Sequence, residues 1–392
     1  MSTFFSPLRV MHVITGLGTG GAEMMLSKLV CAGDSLRFEP VVVSLTDEGT
    51  LGQIIRGYGA PIYTIGMQRG GVSVVKLVQL ARLIKKLKPD LIQGWMYHAN
   101  IAAFCARAIV GLRTPLLWNI RHTPHDLGTE KRLTAVLIRL GALLSSMPAR
   151  VIYNSHVSLK RHEELGFRSG NSLVIPNGFD MASFCHSSAK RDHARIMLDI
   201  PVNAQVIGHV ARFHPMKDHQ GFLRAAAQVA MRIPNVRFVL AGKDVSLNNS
   251  LLRGWIDGLG LGERVMLLDE RTDLSDLLPS FDMLCLSSAW GEGFPNIIGE
   301  AMACGLPCVT TDVGDAGMIV GETGRVVRPG DPEAFADACC DLLDLTPAIR
   351  QAQGEAARQR VVENFSLDAI VDHYQLLYEN VLGLQRKGVI YE

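Results

Sequence analysis

No stretch of 18 uncharged apolar residues occurs in this 392-residue chain, so no segment reads as a membrane-spanning helix. The nearest approach, LTAVLIRLGALLSSM, is interrupted by Arg139 and reads as an amphipathic helix. At the N-terminus, MSTFFSPLRV lacks a basic segment followed by an apolar one, and no secretory signal peptide is expected. Low-complexity tracts and short-period repeats are also missing, which leaves an ordinary globular composition, 48% hydrophobic and 20% charged. The eight cysteines (31, 105, 185, 285, 304, 308, 339 and 340) lie mostly inside apolar runs, without metal-ligand spacing or histidine partners. Reduced thiols of a cytosolic protein are expected, rather than a zinc site or a disulfide framework. There is no D-x-D pair and no His/Asp cluster, so no home for a divalent metal is expected.

Charge of one sign is scarce in each half, although the whole chain carries only +1. Residues 1–180 hold 20 Lys and Arg against 11 Asp and Glu, and residues 181–392 hold 19 against 27. A basic first half suits anionic lipid headgroups or a pyrophosphate-bearing substrate, and charges scattered over a solvated surface are the alternative. The stretches that stand out are 82–90 (RLIKKLKPD) and 130–144 (EKRLTAVLIRLGALL). No nucleic-acid partner is expected.

Glycine is plentiful, and Gly16, Gly18 and Gly21 in VITGLGTGGAE spell G-x-G-x-x-G between a strand-like run (8–15) and a helical one (22–30). In a dinucleotide site an acidic residue should follow about 20 residues on. Asp47, after the next strand, comes 26 residues past Gly21. An NAD enzyme is therefore a minor alternative, and the turn needs another explanation. Beyond it, strands at EPVVVSL, PIYTIG, LIQGWM, PLLWNIR, RVIYNS and SLVIPN alternate with helices over 73–88, 98–110, 129–146 and 156–165. After PNGFDMASF (176–184) the pattern restarts with AQVIGHVAR, RFVLAG, RVMLLD, DMLCLS, PCVTTD and GRVVRP, and with helices near 218–232, 248–259, 273–280, 296–304 and 332–344. This alternation predicts an α/β chain of two doubly wound, parallel-sheet, Rossmann-like domains facing a cleft. The expected boundaries are 1–180 and 181–370, with a C-terminal helix over 371–392 packing back on the first domain.

Ligands of such sheets bind beyond the carboxyl ends of the strands. There the strand VIGHVAR delivers Arg212 and, five residues later, Lys217 at the start of a helix whose first turn holds Asp218. A guanidinium and an ammonium beside helix amides suit a pyrophosphate, and a solvated pair on a loop is the other reading. The stretch AWGEGFPNIIGEAMACGLPCVTTD reads as loop, helix, glycine stop, proline and strand, with Asn296 able to cap the helix and Gly305 able to end it. Glu300 lies inside that helix between apolar residues and needs a partner, such as the hydroxyls of a ribose or sugar or an arginine. Glu292, in the glycine-flanked loop before it, is expected to point freely into the cleft.

Two glutamates separated by seven residues in EGFPNIIGE resemble the motif of the retaining glycosyltransferases of family 4, which have the two-domain GT-B architecture. TGLGTGGAE is similar to that family's N-terminal glycine loop, PNGFD to its interdomain turn, ARFHPMK to its phosphate-binding Arg and Lys, and GETGRVVRPGDPEAFADA to its last strand and helix. The likeness extends from about residue 8 to 375.

The resemblance implies a hexosyltransferase in bacterial surface polysaccharide or lipopolysaccharide synthesis. It would move a hexose or N-acetylhexosamine, with retention, from a nucleotide diphosphate sugar, a UDP-sugar favoured over a GDP-sugar, to a glycan or polyprenyl-linked acceptor. Neither metal nor cofactor is implied, and the setting would be cytoplasmic, in peripheral contact with the anionic inner face of the membrane. Arg212 and Lys217 would hold the diphosphate, Glu300 the ribose and Glu292 the transferred sugar. Gly18 and Gly20 and the backbone of Phe294, Pro295, Asn296 and Ile297 would assist donor binding. In WNIRHTPHD the pair His122-Thr123 ends a strand, and His122 resembles a family histidine near the reacting sugar, with His98, ending LIQGWMYH, a further candidate. The chain departs from the family at Ala211 and Asp218, where glycine is common. A sugar-nucleotide epimerase or phosphorylase of the same architecture is the alternative.

Overall fold

A computed structural model describes residues 7–68, 71, 73–128 and 130–384. The expected helix over 371–392 therefore runs partly outside the described residues. The chain divides into two compact units, one running to Gly178 and resuming at Leu367, the other Phe179–Ser366.

In the first unit β1 (Leu8–Ile14), α1 (Gly21–Ala32), β2 (Phe38–Ser44), α2 (Gly52–Gly57), β3 (Ile62–Thr64), α3 (Val74–Leu87) and β4 (Leu91–Trp95) follow one another. They are succeeded by α4 (Met96–Ile109), β5 (Leu116–Ile120), α5 (Arg132–Leu144), β6 (Arg150–Tyr153), α6 (His156–Glu164) and β7 (Ser172–Val174). The seven strands pair in the order β3-β2-β1-β4-β5-β6-β7, all parallel. Helices cover both faces of such a sheet, which is why its strands read as nearly continuous apolar runs. The side-chain alternation is still visible in β1, where Val10 and Ile14 enter the core on one face and Met11 and Val13 that on the other.

The second unit contains α7 (Ser188–Met197), β8 (Gln205–Val210), α8 (His219–Arg232), β9 (Val236–Ala241), α9 (Ser250–Gly258), β10 (Val265–Leu267) and α10 (Leu274–Leu277). After these come β11 (Met283–Leu286), α11 (Asn296–Ala303), β12 (Cys308–Thr311), α12 (Ala316–Val320), β13 (Arg325–Val327), α13 (Pro332–Leu343) and α14 (Pro347–Phe365). Its parallel order is β10-β9-β8-β11-β12-β13. The last helix, α15 (Leu367–Val381), returns to the first unit. Its Ile370, Val371, Tyr374 and Tyr378 enter the same core as Val10 and Trp95. Tyr374 Oη accepts from Asn119 Nδ2 and Arg121 Nη2, both at 2.7 Å.

Each sheet reverses its strand order once, between β1 and β4 and between β8 and β11. Connections diverge at such a switch point and leave a crevice beyond the carboxyl ends of the two strands. All eight cysteines are free thiols. Among the described residues no helix is long and apolar enough to cross a membrane.

Candidate active site

The second unit's switch point gathers Lys217, Glu292 and the start of α11. After β8 the chain makes a short turn of helix at Pro215–Lys217, and Asp218 then caps α8. Asp218 sits at φ +45°, a left-handed conformation, and its carboxylate accepts from the Gly221 N–H at 2.9 Å. The family's common glycine is thus replaced by a residue that offsets the backbone cost with a cap.

Lys217 Nζ is hydrogen-bonded to Glu292 Oε1. Glu292 is buried, and Ser288 Oγ donates to the same oxygen at 2.5 Å. This corrects the expectation of a free loop carboxylate, because a buried charge requires a paired cation and hydrogen bonds. The supporting layer is equally tied. Ser287 Oγ donates to Lys217 O at 2.9 Å, so His209 Nε2, 3.1 Å from Ser287 Oγ, must be the donor of that pair. Ala289 N–H donates to Met216 O at 2.8 Å, and Thr311 Oγ1 to Ser288 O at 2.6 Å.

Arg212 is exposed, and among the described residues no carboxylate lies within ion-pair range of it. Asn296 is the first residue of α11 and Pro295 its N-cap residue, with no side-chain cap bond, which corrects the expected capping role of Asn296. Gly305 does follow the helix at φ +76°. The Phe294 side chain belongs to the core, stacked on Phe179 with centroids 6.1 Å apart, and leaves only its backbone for a ligand. Ile297 and Glu300 are half-buried.

Two glycines unremarked in the sequence hold this loop cluster together. Gly242, at φ +147°, places its Cα where a Cβ would come within 2.2 Å of Ala211 O. Gly314, at φ +64°, would carry a Cβ 2.5 Å from Glu292 O and 2.8 Å from Gly293 O. Gly314→Ala is expected to cost about 1–3 kcal/mol in backbone strain and to move the Glu292 loop. Urea titration should show a lower midpoint, and turnover should fall with it.

At the first unit's switch point, Gly18 has nothing within 4 Å of a built Cβ, so its lack of a side chain leaves open space over the turn. Gly20 precedes α1 as its N-cap residue. The turn is braced from below, since a Cβ on Gly49 would come within 2.2 Å of Leu17 O.

Beyond β5, half-buried His122 heads a chain of polar contacts. His162 Nδ1 lies 2.7 Å from Ser158 O, which can only accept, so Nδ1 bears the proton and Nε2 accepts from Tyr97 Oη at 2.8 Å. Tyr97 Oη then accepts from His122 Nδ1 at 3.3 Å, and His122 Nε2 stands 3.3 Å from Glu130 Oε1. Burial lowers the His122 pKa and Glu130 raises it. Glu130→Gln should therefore shift His122 titration to lower pH, as read from its ring resonances by NMR. An unchanged or higher value would show that Glu130 does not act on it.

Among the described residues no three His, Cys, Asp or Glu side chains group as metal ligands. Residues 19–183 match the domain described as Glycosyltransferase Family 4, and residues 204–345 that described as Glycosyl transferases group 1. The chain is 28% identical over 298 residues to an N-acetyl-alpha-D-glucosaminyl L-malate synthase of Bacillus anthracis, covering 75% of this chain and 74% of that protein. It is 27% identical over 323 residues to a UDP-Gal:alpha-D-GlcNAc-diphosphoundecaprenol alpha-1,3-galactosyltransferase of Escherichia coli, covering 78% and 80%. In structure it is similar to Anabaena HepE, solved in complex with UDP, with a TM-score of 0.82 at 23% identity over 95% of this chain and 100% of that one. WaaG, described as a glycosyltransferase involved in lipopolysaccharide biosynthesis, gives 0.71 at 14% identity over 94% and 99%. These structures share the GT-B fold. With both halves matched in order, the chain belongs to the family 4 glycosyltransferases.

Proposed function

We propose that the enzyme transfers a hexose or N-acetylhexosamine, with retention and without a metal, from a UDP-sugar to a lipid-linked or glycan acceptor in surface polysaccharide synthesis, working at the inner face of the cytoplasmic membrane. The observation that carries this reading is the Lys217–Glu292 pair at the β8/β11 switch point, beside the start of α11. A donor that presents a diphosphate and sugar hydroxyls together satisfies both members, the anion on Lys217 and the hydroxyls on Glu292. Arg212 adds a second cation, and the N-terminal turn of α11 adds the positive end of a helix dipole. Glu300, one turn into α11, is assigned to the ribose hydroxyls. Gly18 leaves room for the donor or the acceptor, and Gly20, over which the Glu23 carboxylate lies, is assigned to the same turn through its backbone.

In this scheme the leaving diphosphate is neutralised by Arg212, Lys217 and helix amides as the glycosidic bond breaks. A departing phosphate oxygen takes the acceptor's proton, and His122 is assigned to the reacting sugar. Two relatives' descriptions support the reading: the E. coli protein uses UDP-Gal and a diphosphoundecaprenol-linked sugar, and HepE binds UDP. The test is a thermal-stability screen with UDP-, GDP- and ADP-sugars, since only ligands that prefer the folded state raise the melting point. A UDP-sugar should give the largest rise, and no rise with any of the three would end the proposal. Conversion of donor in the absence of acceptor would favour the epimerase alternative.

A further inference from the structure

A cavity of about 290 Å³ opens in the first unit beyond the ends of β1 and β2, between α3, α4 and α5. Its walls are apolar, formed in the main by Leu77, Ile101, Leu137 and Leu140, while Thr15, Thr46 and His98 supply polar groups at the strand ends. Thr15 lies three residues before the open Gly18. The apolar lining does not stop at the cavity mouth. Val136, Leu140 and Leu143 recur at helical spacing along α5, and Met147 follows one turn later, exposed by 54, 36, 81 and 53%. Single exposed apolar residues are ordinary, but a row of them leading into an apolar cavity marks a binding surface.

The three helices that wall the cavity carry charge of one sign, although Asp47 follows the lining Thr46. Helices α3, α4 and α5 carry seven Lys or Arg and no Asp or Glu. The nearest carboxylate ahead of α5, Glu130, is occupied by His122. Such a field attracts an anion, and the concave apolar space takes a single chain, whereas a bilayer presents a flat face.

We propose that this cavity and the α5 stripe hold the apolar chain of the acceptor, an isoprenoid phosphate or diphosphate whose anionic head lies toward the glycine turn. The proposal rests on the reading of the enzyme as one that uses a lipid-linked acceptor. It assigns to one site the amphipathic 130–144 segment and His98, neither of which the donor site uses.

The test uses the full chain with farnesyl diphosphate as probe, measured by calorimetry beside inorganic pyrophosphate, UDP and phosphatidylglycerol vesicles. Farnesyl diphosphate should bind at least tenfold more tightly than pyrophosphate. Leu140→Asp at the mouth and Ala102→Trp within the cavity should each weaken it at least tenfold and leave UDP binding unchanged, which shows that the variants are folded. The proposal is overturned if pyrophosphate binds as tightly as farnesyl diphosphate, or if both variants bind the probe within twofold of wild type. It is also overturned if vesicles capture the protein while farnesyl diphosphate does not bind, since the stripe is then a membrane-docking face. UDP binding separates the two readings: its absence in wild type removes the donor assignment, and its presence without probe binding removes only this one.

Discussion

Arg212→Ala and Lys217→Ala are each expected to lower turnover by about 100- to 1000-fold, the usual loss when one preorganised donor to a developing charge is removed. The two variants should nevertheless differ. Arg212 is exposed and has no carboxylate partner among the described residues, so its removal subtracts a cation from the site and leaves the fold intact. Lys217 holds buried Glu292. Its removal strands that carboxylate on Ser288 alone, and an uncompensated buried charge is destabilising. Steady-state kinetics should therefore show losses of similar size, while chemical denaturation should show a lower midpoint only for Lys217→Ala. Restoring stability, but not turnover, in the double variant with Glu292→Gln would separate the structural role of the pair from its chemical one. Turnover near wild type in both single variants would remove the assignment.

That pair also shows where a linear reading of the chain runs out. The alternation of strands and helices was legible because burial on both faces of a parallel sheet leaves its strands almost wholly apolar, as in β1 and β11. Lys217 and Glu292 were legible as charged residues at strand ends, but their bond spans 75 positions. The glycines flanking Glu292 suggest freedom, yet Ser288, Met216 and Gly314 hold the loop from three sides.

Helix α7 is absent from the pattern because it is mostly polar (SAKRDHARIM). Arg191 and Arg195 hold it to Asp282 at 2.7 and 2.8 Å, and no hydrophobic periodicity reveals that anchorage. Helix α14 escapes for a related reason. It buries only Gly354, Ala357, Val361 and Phe365, and Gly354 lies against Gly305, where a Cβ would meet the Gly305 carbonyl at 2.0 Å. A buried face begun by a glycine and an alanine in a 19-residue, mostly polar helix leaves only a weak apolar signature.

Acid should unfold both units at a pH where their carboxylates are still ionised. Burial lowers the pKa of His12 to about 3 and that of His162 to about 4 in the first unit. In the second unit it lowers His219 to about 4 and His209 well below the ordinary 6.5, in each case with help from the Lys217 charge. A base whose folded pKa is depressed stays neutral in the fold while the unfolded chain takes up a proton. The unfolded state therefore binds more protons below pH 6.5, and stability present above that value is lost as pH falls toward 4. One pKa unit is worth about 1.4 kcal/mol, so each histidine should cost about 2 kcal/mol between pH 7 and 5. With two per unit the loss is about 4 kcal/mol, a large share of the ~5–15 kcal/mol that stabilises a domain. Urea midpoints at pH 7 and 5 should fall accordingly, and the slope should flatten in His162→Gln, whose side chain cannot be charged. Tyr97 can still donate to the glutamine carbonyl, so this variant tests the titration with the hydroxyl's acceptor retained. A midpoint that does not move between the two pH values would mean that these rings are protonated alike in the folded and unfolded chain, and that burial does not set their charge.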